Sequence, residues 1–183
     1  MISIQSERLQ LIPLDHSLLR IWQSAGRETL ESQLGLKPNS FQLEEFYRNE
    51  TETALSNFWI PQTHKYPLDF CWYTNWEIIF KPSSCSVGGI GFSGLPDNDG
   101  KCEIGYVIDI KFRNKGIAKE AVELLINWAS QDPDLKAISA KTFPDNLASQ
   151  SVLLSTGFKL IEGKPIFLNE ETPLLCFEKL LKK

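Results

Sequence analysis

Apolar and polar residues alternate from Arg8 to Leu14, which predicts a first strand closed by Pro13. Asp15 then stands as a helix N-cap ahead of Leu18, Leu19 and Trp22, and predicts a short helix. Between Gly26 and Trp59 the apolar residues Leu30, Leu34, Leu43, Phe46, Tyr47, Leu55, Phe58 and Trp59 recur at helical spacing, interrupted at Gly35 to Asn39, and predict two further helices. From Trp72 the texture becomes β-branched and aromatic. Trp72 to Phe80, Val87 to Phe92 and Cys102 to Ile110 read as three consecutive antiparallel strands, separated by KPSSCS and SGLPDNDG. Lys115 to about Ser130 is the clearest helix, with Ile117, Ala118, Ala121, Val122, Leu124, Leu125, Trp128 and Ala129 on one face and Lys119, Glu120, Glu123 and Asn127 on the other. Asp132-Pro133 ends it, and Lys136 to Phe143 alternates as a strand. A helix starting at Asp145 or Asn146 stops at Gly157, a residue suited to a left-handed C-cap, and Phe158 to Glu162 and Leu174 to Leu181 supply the last two strands.

Helices among antiparallel strands, followed by a strand-helix-strand crossover, predict a mixed α/β fold. At 183 residues, with no internal repeat, low-complexity tract or Pro/Ser-rich linker, one domain over residues 1–183 is expected. With 42% hydrophobic and 23% charged residues, the chain falls outside the disordered and collagenous classes. Nineteen Lys and Arg against 23 Asp and Glu leave a net charge of −4, which argues against a nucleic-acid-binding surface spread over the molecule. The N-terminal MISIQSERLQ has no apolar core after a basic start, and the uncharged stretch Pro82 to Pro96 is too short to span a bilayer. A cytoplasmic protein with no membrane partner is expected. Cys71, Cys85, Cys102 and Cys176 show no metal-site spacing, and His16 and His64 lie far from each other and from any cysteine in sequence; reduced thiols and no metal are expected.

Gly89-Ile90-Gly91-Phe92-Ser93-Gly94 satisfies GxGxxG, but a dinucleotide site needs a helix opening inside the motif, and the chain continues instead through the turn Leu95 to Gly100. These glycines are expected to be a strand end and loop. Asn49-Glu50-Thr51 matches a glycosylation sequon, a chance match where no secretory signal accompanies it.

The informative stretch runs from Glu103 to Ala118. A strand ends, and the short loop Arg113-x-x-Gly116-x-Ala118 leads directly into the amphipathic helix. The first turn of a helix leaves N–H groups unpaired and carries partial positive charge, so it attracts phosphate. Gly116 and Ala118 keep side chains out of the way of a diphosphate. Arg113 and Lys115 add positive charge where the macrodipole already favours an anion, an arrangement opposed by electrostatics unless something negative binds. A solvated basic turn before an ordinary surface helix is the competing account of the same residues.

This loop resembles the acetyl-CoA signature of the GNAT superfamily of N-acetyltransferases, Gln/Arg-x-x-Gly-x-Gly/Ala between the fourth strand and the following helix. Asn146, Ser149, Val152 and Gly157-Phe158 resemble its second signature, in the right order with a strand between. Glu7-Arg8-Leu9 and Glu103-Ile104-Gly105-Tyr106 look most like the ribosomal-protein N-terminal acetyltransferase (RimJ/RimL-like) branch. The resemblance covers essentially the whole chain and is specific from about Gly88 to Phe158. It implies a twisted, mostly antiparallel sheet flanked by helices, with the fourth strand splayed from the fifth. Backbone groups near Ile108 and Ile110 would pair with pantetheine, and the Val107–Ile108 backbone would polarise the thioester carbonyl. The N–H groups of Asn114, Lys115, Gly116, Ile117 and Ala118 would cradle the pyrophosphate with Arg113 at its edge, and Asn146 would bond pantetheine from the other side.

Transfer of acetyl to a primary amine by direct attack in a ternary complex needs a base for the amine proton and an acid for the leaving thiolate. Glu103 is the candidate base, with a solvent-facing strand carboxylate as the alternative. Many family members place a Tyr seven residues after the helix-start Asn, but this chain has Leu153. Ser149 is the substitute acid, and Tyr106 a further one unless it is core packing. Trp22, Trp59, Trp72, Tyr73 and Trp76 suffice to line an acceptor pocket, or to be core. A protein N-terminus, a polyamine and an antibiotic amine all stay open as acceptors. Two other readings are a non-catalytic acyl-CoA sensor, motivated by Leu153, and a module binding another phosphate ligand. A homodimer through a strand edge or helix face also stays open.

Overall fold

The computed structural model describes residues 2–161, 166–168 and 172–181. A short strand, β1 (Ile4–Gln5), turns back onto β2 (Leu9–Pro13). Asp15 accepts a hydrogen bond from the Leu18 N–H at 2.9 Å and starts α1 (His16–Gln33). Gly26 takes φ 84° inside it, so the predicted short helix and the helix after it abut across a kink. α2 (Glu45–Ala54) passes through one wide turn, Leu55–Trp59, into α3 (Ile60–Lys65). These helices bury Leu14, Leu18, Leu19, Leu30, Leu55 and Ile60 in an apolar cluster of their own.

The remaining elements are β3 (Trp76–Phe80), β4 (Cys85–Phe92), β5 (Lys101–Ile108), α4 (Ile117–Ala129), β6 (Ala137–Thr142), α5 (Leu147–Ser155), β7 (Lys159–Leu160), β8 (Ile166–Phe167) and β9 (Pro173–Leu180). Most boundaries shift by a residue or two, and three of the differences have a visible cause. β3 starts at Trp76 and not Trp72, because Phe70–Trp72 form a tight turn whose Cys71 carbonyl accepts from the Trp76 indole N–H at 2.8 Å. β5 stops at Ile108 and not Ile110, because the Asp109 side chain accepts from the Lys111 N–H at 2.9 Å and starts a turn over Ile110–Phe112. The strand expected over Phe158 to Glu162 is reduced to Lys159–Leu160, with Phe158 turned into the core; Glu162 lies outside the described residues.

The sheet runs in the order β1-β2-β3-β4-β5-β6-β9-β7, with β8 paired to β9, and is a mixed α/β architecture as expected. Every pairing is antiparallel except β5 with β6. α4 provides that crossover and lays Ile117, Ala121, Val122, Leu125 and Ala129 onto the sheet beside Ile78, Val87, Ile104 and Ile138. Trp128 joins Trp72 and Trp76 at 5.0 and 4.9 Å between ring centres, so two of the aromatics considered for an acceptor pocket are core. Gly89 and Gly91 are required by the adjoining Thr74–Asn75 segment: a Cβ would collide with the Asn75 Oδ1 and with the Thr74 carbonyl oxygen.

The parallel pair β5–β6 does not run its full length. Lys101–Glu103 pair with Ala137–Ser139; beyond them β5 stays with β4 as far as Ile108, while β6 follows β9 as far as Thr142. A gap therefore opens in the middle of the sheet, at the end of β5 that leads to α4.

Candidate active site

The gap exposes a strand edge. Glu103 and Asp109 bond to β4, through the Ser93 N–H to the Glu103 carbonyl at 3.0 Å and the Asp109 N–H to the Val87 carbonyl at 2.9 Å. By the two-residue alternation of a strand, Tyr106 and Ile108 turn their N–H and C=O groups towards the gap, and Val107 turns its own towards β4. Of the expected backbone groups, Ile108 is thus at the gap. Ile110 is not: it lies beyond the strand, and its N–H donates to the Gln42 carbonyl at 3.0 Å.

At the start of α4 the backbone N–H groups from Asn114 through Lys119 have no hydrogen-bond partner among the described residues; the first helical bond is from the Glu120 N–H to the Gly116 carbonyl at 3.1 Å. Asn114 and Gly116 take positive φ of 59° and 75°, which turns the loop into a nest of N–H groups at the positive end of the helix. Such a run has no reason to stay unpaired unless water or an anion meets it.

The surrounding cations are less free than the sequence implies. Arg113 donates to both carboxylate oxygens of Glu44, at 2.5 and 2.7 Å, and through Nε to the Ile108 carbonyl at 3.1 Å. Donating to the Glu44 carboxylate holds the guanidinium above its usual pKa, and accepting those hydrogen bonds holds the Glu44 carboxyl below its own. The Arg113 charge is therefore balanced inside the molecule, and the electrostatic case for a bound anion rests on the N–H groups and on Lys115, which makes no ion pair among the described residues. Arg8 also reaches the loop. It pairs with Glu120 at 2.9 and 2.5 Å and donates to the Lys115 carbonyl at 3.2 Å. Burial works against the Glu120 charge, but hydrogen bonds from Ser6 and Arg8 hold its carboxyl below the usual range.

Across the gap, Asn146 caps α5 by accepting from the Ser149 N–H at 3.0 Å, and its amide N–H donates to the Tyr47 hydroxyl at 2.8 Å. One Asn146 amide N–H and its carbonyl oxygen are thus engaged within the protein, which leaves the second amide N–H for a ligand. Ser149 and Tyr106 share a hydroxyl contact of 3.1 Å. Burial pushes the Tyr106 phenol up to about 12. Leu153 is fully buried in the core cluster. Glu103 does not join this group. On β5 its side chain faces the side opposite to Tyr106, where β5 and β6 still pair, and its carboxylate meets the Lys141 ammonium at 2.7 Å. An open cavity of about 430 Å³ lies towards the far end of α4, lined in part by Glu123, Ser130, Thr156 and Lys179, and contains none of these residues.

An opened parallel strand pair beside a helix start lined with unpaired N–H groups is the arrangement that the GNAT resemblance implies. The family profile described as an acetyltransferase (GNAT) domain matches residues 13–159. The chain belongs to the GNAT acetyltransferase family. Among GNAT relatives, YjdG of Bacillus subtilis (strain 168), an uncharacterised N-acetyltransferase, is 41% identical over 88 residues, 48% of this chain and 52% of that protein. The ribosomal-protein-serine acetyltransferase of Escherichia coli (strain K12) is 32% identical over 101 residues, 54% of this chain and 55% of that protein. The chain thus spans about half the length of the curated relatives it matches. The fold is shared with the ribosomal-protein-S5-alanine acetyltransferase of Vibrio fischeri, at TM-score 0.65 and 19% identity over 98% of this chain and 97% of that one. It is shared also with RimL, a ribosomal L7/L12 alpha-N-protein acetyltransferase in complex with coenzyme A, at TM-score 0.67 and 18% identity over 98% of each chain.

Three residues at this GNAT site were not assigned to it from the sequence: Arg8, Glu44 and Tyr47. Glu44 and Tyr47 sit in a predicted helical stretch and carried no motif. Arg8 stood inside the branch-specific Glu7-Arg8-Leu9, which marked it without saying what it touches. Among the described residues, no helix is long and apolar enough to cross a membrane, and the four cysteines are unpaired.

Proposed function

We propose that the chain acts as one domain, an acetyl-CoA-dependent N-acetyltransferase that transfers acetyl to a primary amine, the amino group of a protein N-terminus, by direct attack in a ternary complex. The run of unpaired N–H groups from Asn114 through Lys119, opening beside the splayed edge of β5, carries this reading. Those groups, with Lys115 beside them, are suited to a diphosphate, and the Tyr106 and Ile108 backbone to an amide-bearing chain lying along the strand. Bound acetyl-CoA would supply an activated acetyl group as a thioester. The Ile108 N–H faces the gap and can donate to a carbonyl there, while the Val107 N–H cannot. Ser149, backed by the protonated Tyr106 phenol, is placed to donate a proton or hydrogen bond in the gap. Glu103 is the proposed base; from the opposite side of β5, with its charge shared with Lys141, it would take the amine proton through water. Two named relatives that acetylate ribosomal proteins favour a protein N-terminus over a polyamine or antibiotic.

The test is acetyl-CoA-dependent thiol release against peptide N-termini, polyamines and aminoglycosides, with binding followed by thermal shift on the same sample. Release with peptide N-termini supports the proposal. Release only with small amines moves the acceptor class, binding without release supports an acyl-CoA sensor, and the absence of binding removes the cosubstrate assignment.

A further inference from the structure

On the acetyl-CoA reading of the site, one of its cations is already held by a carboxylate of the α1–α2 segment. Glu44 precedes α2 in the N-cap position, yet its side chain caps nothing there. It extends instead to Arg113 and fills both arms of the guanidinium fork. Nearby residues of the same segment hold two more positions assigned to the cosubstrate: the Gln42 carbonyl takes the Ile110 N–H at 3.0 Å, and the Tyr47 hydroxyl takes the Asn146 amide N–H at 2.8 Å. A guanidinium fork matches one carboxylate or one phosphate in two-point contact. The third arm of Arg113 is on the Ile108 carbonyl at 3.1 Å, which anchors the group beside the gap whichever anion it holds.

We propose that Glu44 sets the affinity for acetyl-CoA by competing with the diphosphate for the Arg113 fork, so that binding of the cosubstrate releases the start of α2. The exchange is within reach energetically. The Arg113 and Glu44 side chains are 34% and 45% exposed, so solvent weakens their attraction, and a diphosphate carries more charge than a carboxylate. Because the fork must be vacated first, the observed affinity is the intrinsic one multiplied by the fraction of molecules in which it is already free.

Calorimetric titration of the full chain with acetyl-CoA tests this, using Glu44→Gln, Arg113→Gln and the double variant, each checked for an unchanged unfolding temperature. Glu44→Gln is expected to tighten binding by about fivefold, and Arg113→Gln to weaken it by a similar factor. In the Arg113→Gln background, Glu44→Gln is expected to have no effect, since there is no fork left to contest. Simple repulsion between Glu44 and the ligand would persist in that background, and so would overturn the proposal. Weaker or unchanged binding in Glu44→Gln overturns it too. If Arg113→Gln leaves affinity unchanged while acetyl-CoA still binds, the proposal fails and the cosubstrate reading stands; if the unaltered chain does not bind acetyl-CoA, both fail. Amide exchange over residues 42–54 gives an independent readout, expected to quicken on adding acetyl-CoA.

Discussion

The loop before α4 and the segment before α2 are joined by the Arg113–Glu44 pair, and their polar groups are arranged on opposite plans. At α4 a run of backbone donors is left without partners, on a backbone bent by Asn114 and Gly116 into positive φ. On the α1–α2 side nearly every polar group is closed on another. Arg27 of α1 pairs with the fully buried Glu77, bonds Ser86 at 2.6 Å and lies 4.1 Å from the centre of the Phe41 ring. Asn39 bridges the Ser86 carbonyl at 2.8 Å and the Asp109 carboxylate at 3.0 Å, and Lys111 reaches Asn39 at 2.8 Å. The exceptions, Arg27 Nε and Glu31 Oε1, face each other at 3.7 Å. Open donors suit a site that takes its anion from solution. Closed networks suit a wall, because a buried charge left without its partner is costly.

The sharpest way to break this contrast is to open the wall. Arg27→Met leaves Glu77 buried and uncompensated, and is expected to cost about 3–5 kcal/mol of stability in urea unfolding. A loss well under about 1 kcal/mol would mean that the network does not support the fold. On the open side, Gly116→Asp and Gly116→Asn both tolerate a left-handed backbone and differ in charge alone, so their comparison separates strain from electrostatics. Acetyl-CoA affinity is expected to fall about tenfold or more further in the Asp variant. Equal losses would show that the helix start meets no anion.

A smaller effect is expected at Arg8. Arg8→Gln leaves the Glu120 charge unbalanced in the first turn of α4 and should weaken acetyl-CoA binding about threefold, with Glu120→Gln in the same chain restoring most of it. No restoration would assign Arg8 to the ligand directly. The smallest concerns acid. The folded pKa of Glu120 lies below its unfolded value, so its contacts stabilise the protein fully above the ordinary carboxylate range and lose that contribution as pH falls through the lowered value. Unfolding temperatures between about pH 3 and about pH 7 should show a shallower acid-side fall in Glu120→Gln than in the unaltered chain.

Much of the open side was legible in the chain because it is local. The apolar stripe of α4, the Asn146 cap and the left-handed Gly157 depend on residues within a few positions of one another, and all three are present. The ends of β5 and β3 were misplaced by competing local bonds, a carboxylate turn at Asp109 and an indole bond to Cys71, which a hydropathy pattern does not register. The two-residue strands β1 and β8 are too short to show a period. His16 and His64, distant in sequence, place their rings 5.1 Å apart.

The sequence by itself determined the mixed α/β order, the loop from Arg113 to Ala118 running into a helix, and the family that this pattern resembles, since each follows from short-range spacing. The tertiary structure decided which charges are free. Arg113 meets a carboxylate 69 positions away, Asn146 a phenol 99 away and Arg8 a carboxylate 112 away. Charge and hydrogen bonding act through space and not along the chain, so of the two cations that looked like an unpaired anion site one is balanced by Glu44 of the α1–α2 segment, and the other, Lys115, rests on the Lys111 carbonyl and the Phe112 ring with no carboxylate partner among the described residues.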